Sequence, residues 1–264
     1  MYTVEDRDAT RDYILQLADT DDRVVAAAVV GSLALGGGDR WADLDLTFGV
    51  SDDASIADVL NDWTQRMVND RDAVLLFDLP SGDIIYRVFL LPGGLQVDLS
   101  FMPGSRFGAG GPRFRLLFGE THERPSAVPP PLAELFGWAV AYTRDARACI
   151  ERGRWWQAQH CISAIRDNAL AIGCVRRNLP ARFGRGYDDL PEDVLSTFQP
   201  TLGSLLTRDA LNLALATVVE GLLHESRGIP NIDKAEPRIR EFLVAPGADV
   251  SGPGRPAGGL AASP

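Results

Sequence analysis

Apolar positions in the first hundred residues switch between two spacings, and each switch marks an element. From Val4 to Thr20 the side chains of Tyr13, Ile14 and Leu17 fall at helical spacing, which predicts an amphipathic helix. The run Arg23 to Val30 has the length and β-branched content of a buried strand, and the small pair Gly31-Ser32 ends it. Strand character resumes from Leu44 to Val50. Ser51-Asp52-Asp53 then predicts a cap for a helix over Ile56 to Val68, whose Val59, Leu60, Trp63 and Met67 share one face. Ala73 to Phe77 reads as a strand, and Asp83 to Leu91 and Leu95 to Phe101 read as two more, joined by the tight turn Pro92-Gly93-Gly94. Together these elements make an α/β unit of about a hundred residues.

Beyond Phe101 the pattern changes. Pro103 to Gly119 is a Gly-rich, Arg-bearing stretch ending in Arg113-Phe114-Arg115-Leu116-Leu117-Phe118-Gly119, and Pro125 with Pro129-Pro130-Pro131 marks a stiff linker. From Leu132 onward only the helical period appears. Leu135, Trp138, Ala139, Tyr142, Ala146 and Cys149 predict one buried face, and Gly153 separates it from the next. Ala158, Ile162, Ile165, Ala169 and Ile172 form a second stripe, and Leu211, Leu215, Val218, Val219 and Leu222 form a third. Arg182 to Pro191 reads as a connecting loop, and the Gly-, Ala-, Pro- and Ser-rich stretch from Ala245 to Pro264 is expected to be disordered. The expected fold class is therefore α/β followed by an all-α domain, with boundaries at 1–124, 125–243 and a tail of 244–264.

Candidate chemistry concentrates between Gly31 and Leu46. Main-chain N–H groups at the Gly31-Ser32 turn can face phosphate oxygens, and glycine lets a ligand approach closely. Asp43 and Asp45 lie on one side of the following strand because strand side chains alternate. Two hard carboxylates on one face repel each other unless cations neutralise them, and Mg2+ suits such a pair completed by substrate phosphates. Asp98 interrupts an otherwise apolar strand between Val97 and Leu99, so it binds metal, is paired, or faces solvent. Asp39 reads as a turn former.

Gly-Ser, Asp-x-Asp on one strand and a later strand Asp resemble the signature of the nucleotidyltransferase superfamily built on the DNA polymerase β fold. The order of a catalytic α/β domain and a helical domain is similar to that of bacterial small-molecule nucleotidyltransferases, including aminoglycoside and lincosamide resistance enzymes. The sharp motifs cover residues 31 to 45 and 98 only. Ala42 departs from the pattern, in which a small hydroxyl residue or glycine commonly precedes the first Asp, although alanine is also small. The resemblance implies a mixed-sheet catalytic domain in which Gly31 and Ser32 meet the phosphates and Asp43, Asp45 and Asp98 hold two Mg2+ ions, which Mn2+ can replace. It also implies a helical domain that helps form the acceptor cleft. The implied reaction moves a nucleoside monophosphate, AMP first, from ATP or another nucleoside triphosphate to a hydroxyl of a small acceptor and releases pyrophosphate. Arg166 and Arg185 are further candidates for triphosphate contact, and Asp188 or Asp189 for a cationic acceptor. The general base is open among Asp98, Glu134, Asp145 and Glu151.

Charge narrows the acceptor. The chain of 264 residues carries 26 basic and 36 acidic residues, a net charge of −10, and Lys234 is its one lysine. An acidic surface disfavours DNA or RNA and favours a nucleotide with a small neutral or cationic acceptor. Cys149, Cys161 and Cys174 match neither zinc spacing nor a disulfide framework and read as buried thiols, and His160 reads as a core or capping residue. With neither a membrane-length apolar stretch nor a signal pattern after Met1, a cytoplasmic location without membrane contact is expected. Three alternatives remain at this point. One is a glycosyltransferase using Asp-x-Asp, another a nucleotidyltransferase that modifies a protein, and the third a non-catalytic nucleotide-binding protein.

Overall fold

A capping box starts the chain's first helix, α1 (Val4–Thr20): the Thr3 hydroxyl accepts from the Asp6 amide at 3.1 Å, and the Asp6 carboxylate accepts from the Thr3 amide at 2.9 Å. Strand β1 (Val24–Val30) follows, then β2 (Leu44–Val50) and helix α2 (Ile56–Arg71). The cap of α2 is Ser55, whose hydroxyl accepts from the Asp58 amide. Ser51-Asp52-Asp53, expected as that cap, lies too far upstream, and Asp52 instead accepts from the Ser105 amide at 3.3 Å. Strands β3 (Val74–Ser81), β4 (Ile84–Leu91), β5 (Leu95–Pro103) and β6 (Phe114–Phe118) complete a six-stranded mixed sheet in the order β3-β4-β5-β2-β1-β6. This is a computed structural model that describes residues 1–36, 38–125, 128–203 and 205–244.

Only β2 and β5 run parallel; the other neighbouring strands are antiparallel. Alternation sorts the two central strands cleanly. Leu44, Leu46, Phe48 and Val50 of β2, and Val97, Leu99 and Phe101 of β5, face one side and pack with Ile14 and Leu17 of α1 and Val59, Trp63 and Met67 of α2. Trp63 sits edge-on to both Phe48 and Phe101, at 4.9 and 5.3 Å between centroids, a geometry that adds to the area it buries. Asp45, Thr47, Asp98 and Ser100 are thereby left on the other side of the sheet.

The sequence reading left residues 114–118 without an element, yet they form β6 on the far edge beside β1. Phe118 pairs with Ala27 and Leu116 with Ala28, so Leu117 is an extra residue that breaks the two-residue alternation a strand normally displays.

The chain divides after Ala127 into two compact units. In the second, the described elements are all helical: α3 (Leu132–Glu151), α4 (Trp155–Arg176), α5 (Glu192–Phe198), α6 (Arg208–Glu225) and α7 (Ile232–Glu241). Their core holds Ala146, Ile162, Ile165, Leu215, Val218 and the three free, buried cysteines. Trp138, expected on the buried face of α3, is 55% exposed, because it lies at the margin of the stripe centred on Ala139 and Ala146. His160 is exposed and meets the Tyr142 ring edge-on, so it is neither a core nor a capping residue. The tail expected from Ala245 to Pro264 lies outside the described residues. No helix among the described residues is long and apolar enough to cross a membrane.

Asp21 ties the first unit's layers together. At the C-terminus of α1 it accepts from Arg23 Nε and Nη2 at 2.8 and 2.9 Å and from Trp63 Nε1 at 2.8 Å. Hydrogen bonding by Arg23, aided by Trp63, pulls its carboxyl down to about 2. A depressed folded-state value means that stability is present above the ordinary value and is lost as pH falls from there towards about 2. Asp21→Asn is expected to cost about 2 kcal/mol at pH 7, and the gap between variant and wild type should close between pH 4 and pH 2 in urea titrations. A pH-independent gap would assign the effect to something other than the ionised carboxylate.

Candidate active site

Two adjacent strands in parallel register set the site. Asp45 of β2 stands directly opposite Asp98 of β5, and Asp43, immediately before β2, points to the same side as Asp45. Each of the three half-buried carboxylates offers one oxygen, and these oxygens lie within 4.8 Å of one another. Val97 and Leu99 are fully buried on the opposite side, so the core itself turns Asp98 towards the other acids. Gln96 Nε2 donates to both Asp98 oxygens, at 3.0 and 3.1 Å. Burial pushes the Asp98 carboxyl above the usual carboxylate range; the Gln96 hydrogen bonds oppose that shift, and the nearby Asp43 charge adds to it.

Gly31 is bound to this cluster by geometry. It opens a short 3-10 turn, Gly31–Leu35, directly after β1 with a φ of +72°, and any side chain there would collide with Asp45 Oδ2. The turn therefore needs glycine twice, for its backbone conformation and for its approach to the carboxylate. The next residue, Ser32, has a buried hydroxyl with no hydrogen-bond partner, and so has Thr47, two positions beyond Asp45 on the same face. A buried unpaired hydroxyl costs about 1–3 kcal/mol, and a ligand oxygen or ordered water would relieve that cost.

The donor set fits a divalent ion. Three carboxylates are hard oxygen ligands, the kind that Mg2+ and Mn2+ take, and their mutual repulsion favours a cation between them. Asp43, Asp45 and Asp98 are the residues that would hold it.

Arg7 is a part of the site that sequence reading missed. Only 4% exposed, it reaches from α1 under the loop before Asp43, where its Nη1 donates to the Asp39 carbonyl at 2.6 Å and the Ala42 carbonyl at 3.5 Å. The Tyr2 hydroxyl also donates to the Ala42 carbonyl, at 3.2 Å. Asp39 forms the expected turn, its carboxylate accepting from the Trp41 amide at 2.8 Å. The signal was present, since Arg7 lies on the α1 side that buries Thr10, Ile14 and Leu17.

The remaining candidates belong to the second unit. Arg166 of α4 donates to the carbonyl and hydroxyl of Thr201, each at 3.4 Å. Arg185 lies over the Phe183 ring at 5.5 Å in the connecting segment, where Tyr187 donates to the Asp167 carbonyl at 2.8 Å. Of the acids considered as bases, Glu151 is held below its ordinary range by Arg208 and Arg147, and Asp145 accepts from Arg144 at 2.8 Å. Glu134 lies in the first turn of α3.

No protein-family model and no curated protein matches the chain. Among solved structures it is similar to an aminoglycoside 6-adenyltransferase from Bacillus subtilis, with 14% identity, over 88% of this chain and 96% of that one, at a TM-score of 0.34.

Saturating MgCl2 or MnCl2 is expected to raise the melting temperature by about 5 °C, and Asp98→Asn should remove most of that rise. An unchanged melting curve in wild type would remove the metal assignment. Arg7→Met is expected to weaken divalent binding about tenfold to a hundredfold through the loosened Asp43 loop, with partial recovery in Arg7→Lys. If Arg7→Met lowers stability equally with and without the ion, its role is confined to folding.

Proposed function

We propose that the chain is a divalent-metal-dependent nucleotidyltransferase that moves a nucleoside monophosphate, AMP first, from a nucleoside triphosphate to a hydroxyl of a small molecule. The observation that carries this reading is the trio Asp43, Asp45 and Asp98 beside a glycine turn that touches Asp45 and presents an unpartnered Ser32 hydroxyl. The resemblance of the motifs to the nucleotidyltransferase signature points the same way.

Each residue has a role that its surroundings support. Main-chain N–H groups of the turn and the Ser32 hydroxyl hold triphosphate oxygens. Asp43, Asp45 and Asp98 would hold the divalent ions, which would supply charge stabilisation and orientation at the α-phosphate. Asp98 accepts the proton of the attacking acceptor hydroxyl. The acceptor oxygen forms its bond to the α-phosphorus as the bond to the bridging oxygen breaks, and pyrophosphate leaves. Arg7 acts through the loop it holds and is a positioning residue.

The net charge of −10 favours a hydroxylated acceptor that is neutral or cationic and disfavours polyanions, so aminoglycosides are the first panel to test. Free buried thiols suit the reducing cytoplasm, where nucleoside triphosphates are available.

In a pyrophosphate-release assay with ATP, a divalent salt and that panel, Asp43→Asn and Asp45→Asn should each lower turnover about a thousandfold while the circular dichroism spectrum stays unchanged. Mass spectrometry should find the acceptor heavier by one nucleoside monophosphate. Undiminished turnover in either variant would reject the site. Extension of an RNA 3′ end, with no small molecule modified, would reject the acceptor class.

A further inference from the structure

The side of the sheet that carries the acid trio continues beyond it. Residues opposed in neighbouring strands share a side, so Asp98 of β5 shares its side with Val88 of β4, and Val88 with Phe77 of β3. Tyr86 and Leu79 lie next to them, opposite Ser100. Phe77 is 55% and Leu79 58% exposed, and Tyr86 is exposed beside them. Neither β3 nor β4 brings a charge to this side. Their charged residues, Asp78 and Arg87, oppose each other on the far side, where Arg87 also donates to the Leu60 carbonyl of α2 at 3.0 Å. Across the sheet the order is therefore the Gly31 turn, Asp45, Asp98, Val88 and Phe77. At a strand spacing of about 4.8 Å, Phe77 stands about 10 Å from Asp98, backbone to backbone.

We propose that Phe77, Leu79 and Tyr86 form the acceptor subsite, and that it selects a hydroxylated molecule with an uncharged, ring-bearing body over a polycationic amino sugar. The proposal rests on the nucleotidyl-transfer reading, and the direction of the reaction selects the occupant. With the triphosphate at the Gly31 turn, pyrophosphate departs on the β1 side of Asp45. In-line displacement then brings the attacking oxygen from the opposite side, over Asp98. That oxygen bonds to the α-phosphorus, its proton passes to Asp98, and the bond from the α-phosphorus to the bridging oxygen breaks. The nucleoside hangs on an equatorial oxygen of the α-phosphate, off this axis, so the surface on the axis beyond Asp98 is left to the body of the acceptor. There it meets two aromatic rings and a leucine, which stack on and cover a planar or apolar body. Several ammonium groups placed there would lose water without a carboxylate to replace it.

In steady-state assays of the full chain with ATP and MgCl2, a panel of uncharged ring-bearing alcohols that includes 2-naphthylethanol should give a higher kcat/KM for pyrophosphate release than aminoglycosides. The double variant Phe77→Thr with Leu79→Thr keeps strand-favouring residues at both positions. It should raise the KM for the best alcohol at least about tenfold, with calorimetric ATP binding and the circular dichroism spectrum unchanged. Val68→Gln, at an exposed position on α2, should alter none of these. In wild type, 2-naphthylethanol should slow hydrogen exchange of residues 74–90, a readout that needs no variant. Turnover of aminoglycosides alone, or an acceptor KM that the double variant leaves unchanged, would overturn the subsite while nucleotidyl transfer stands. Failure of every acceptor to release pyrophosphate would overturn nucleotidyl transfer, and the subsite with it. Unchanged exchange at residues 74–90 would overturn the subsite by itself.

Discussion

Everything in the first unit depends on the parallel, in-register pairing of β2 with β5. These strands present Leu, Phe and Val to the helices on one side and Asp, Thr and Ser on the other, so the burial that stabilises the sheet also fixes where the acids point. A one-residue slip of either strand would drive Asp45 or Asp98 into the core and bring Leu46 or Leu99 out. The desolvation cost of a buried, unpaired carboxylate forbids that slip. Thus the hydrophobic core specifies the geometry of the polar site.

That site is held in an unfavourable state by its surroundings. Three acids converge, burial raises Asp98, and the hydroxyls of Ser32 and Thr47 are buried without partners. None of these features helps the fold, and a cation with oxygen ligands around it would relieve each of them. The supports are correspondingly firm. Gly31 packs its backbone on Asp45, and Arg7 pins the loop before Asp43 through two carbonyls. Strain of this kind is expected where a site is organised before its ligand arrives.

The helical unit follows different physics. Its core is apolar and carries its thiols buried and free, and several of its arginines are engaged with polar side chains, as Arg147 is with Asn212 and Glu151 and Arg177 with Glu225. With one lysine in the chain, positive charge sits on side chains suited to bidentate contacts.

Local spacing determined much of this protein from the sequence alone. The helical period located α1, α2, α3, α4 and α6, the strand runs located β1, β2, β3, β4 and β5, and alternation placed Asp43 and Asp45 on a common face, because both periods are properties of the backbone itself. Short or irregular elements escaped: α5 and α7 have too few residues to display a period, and the bulge at Leu117 hid β6. Tertiary structure alone decided that Asp98 stands opposite Asp45, that Arg7 reaches the Asp39 loop, and that β3 is an exposed edge. Those facts arise from contacts between residues distant in the chain. The period of a strand tells which of its sides a residue occupies, but only the pairing of strands tells which residues share that side.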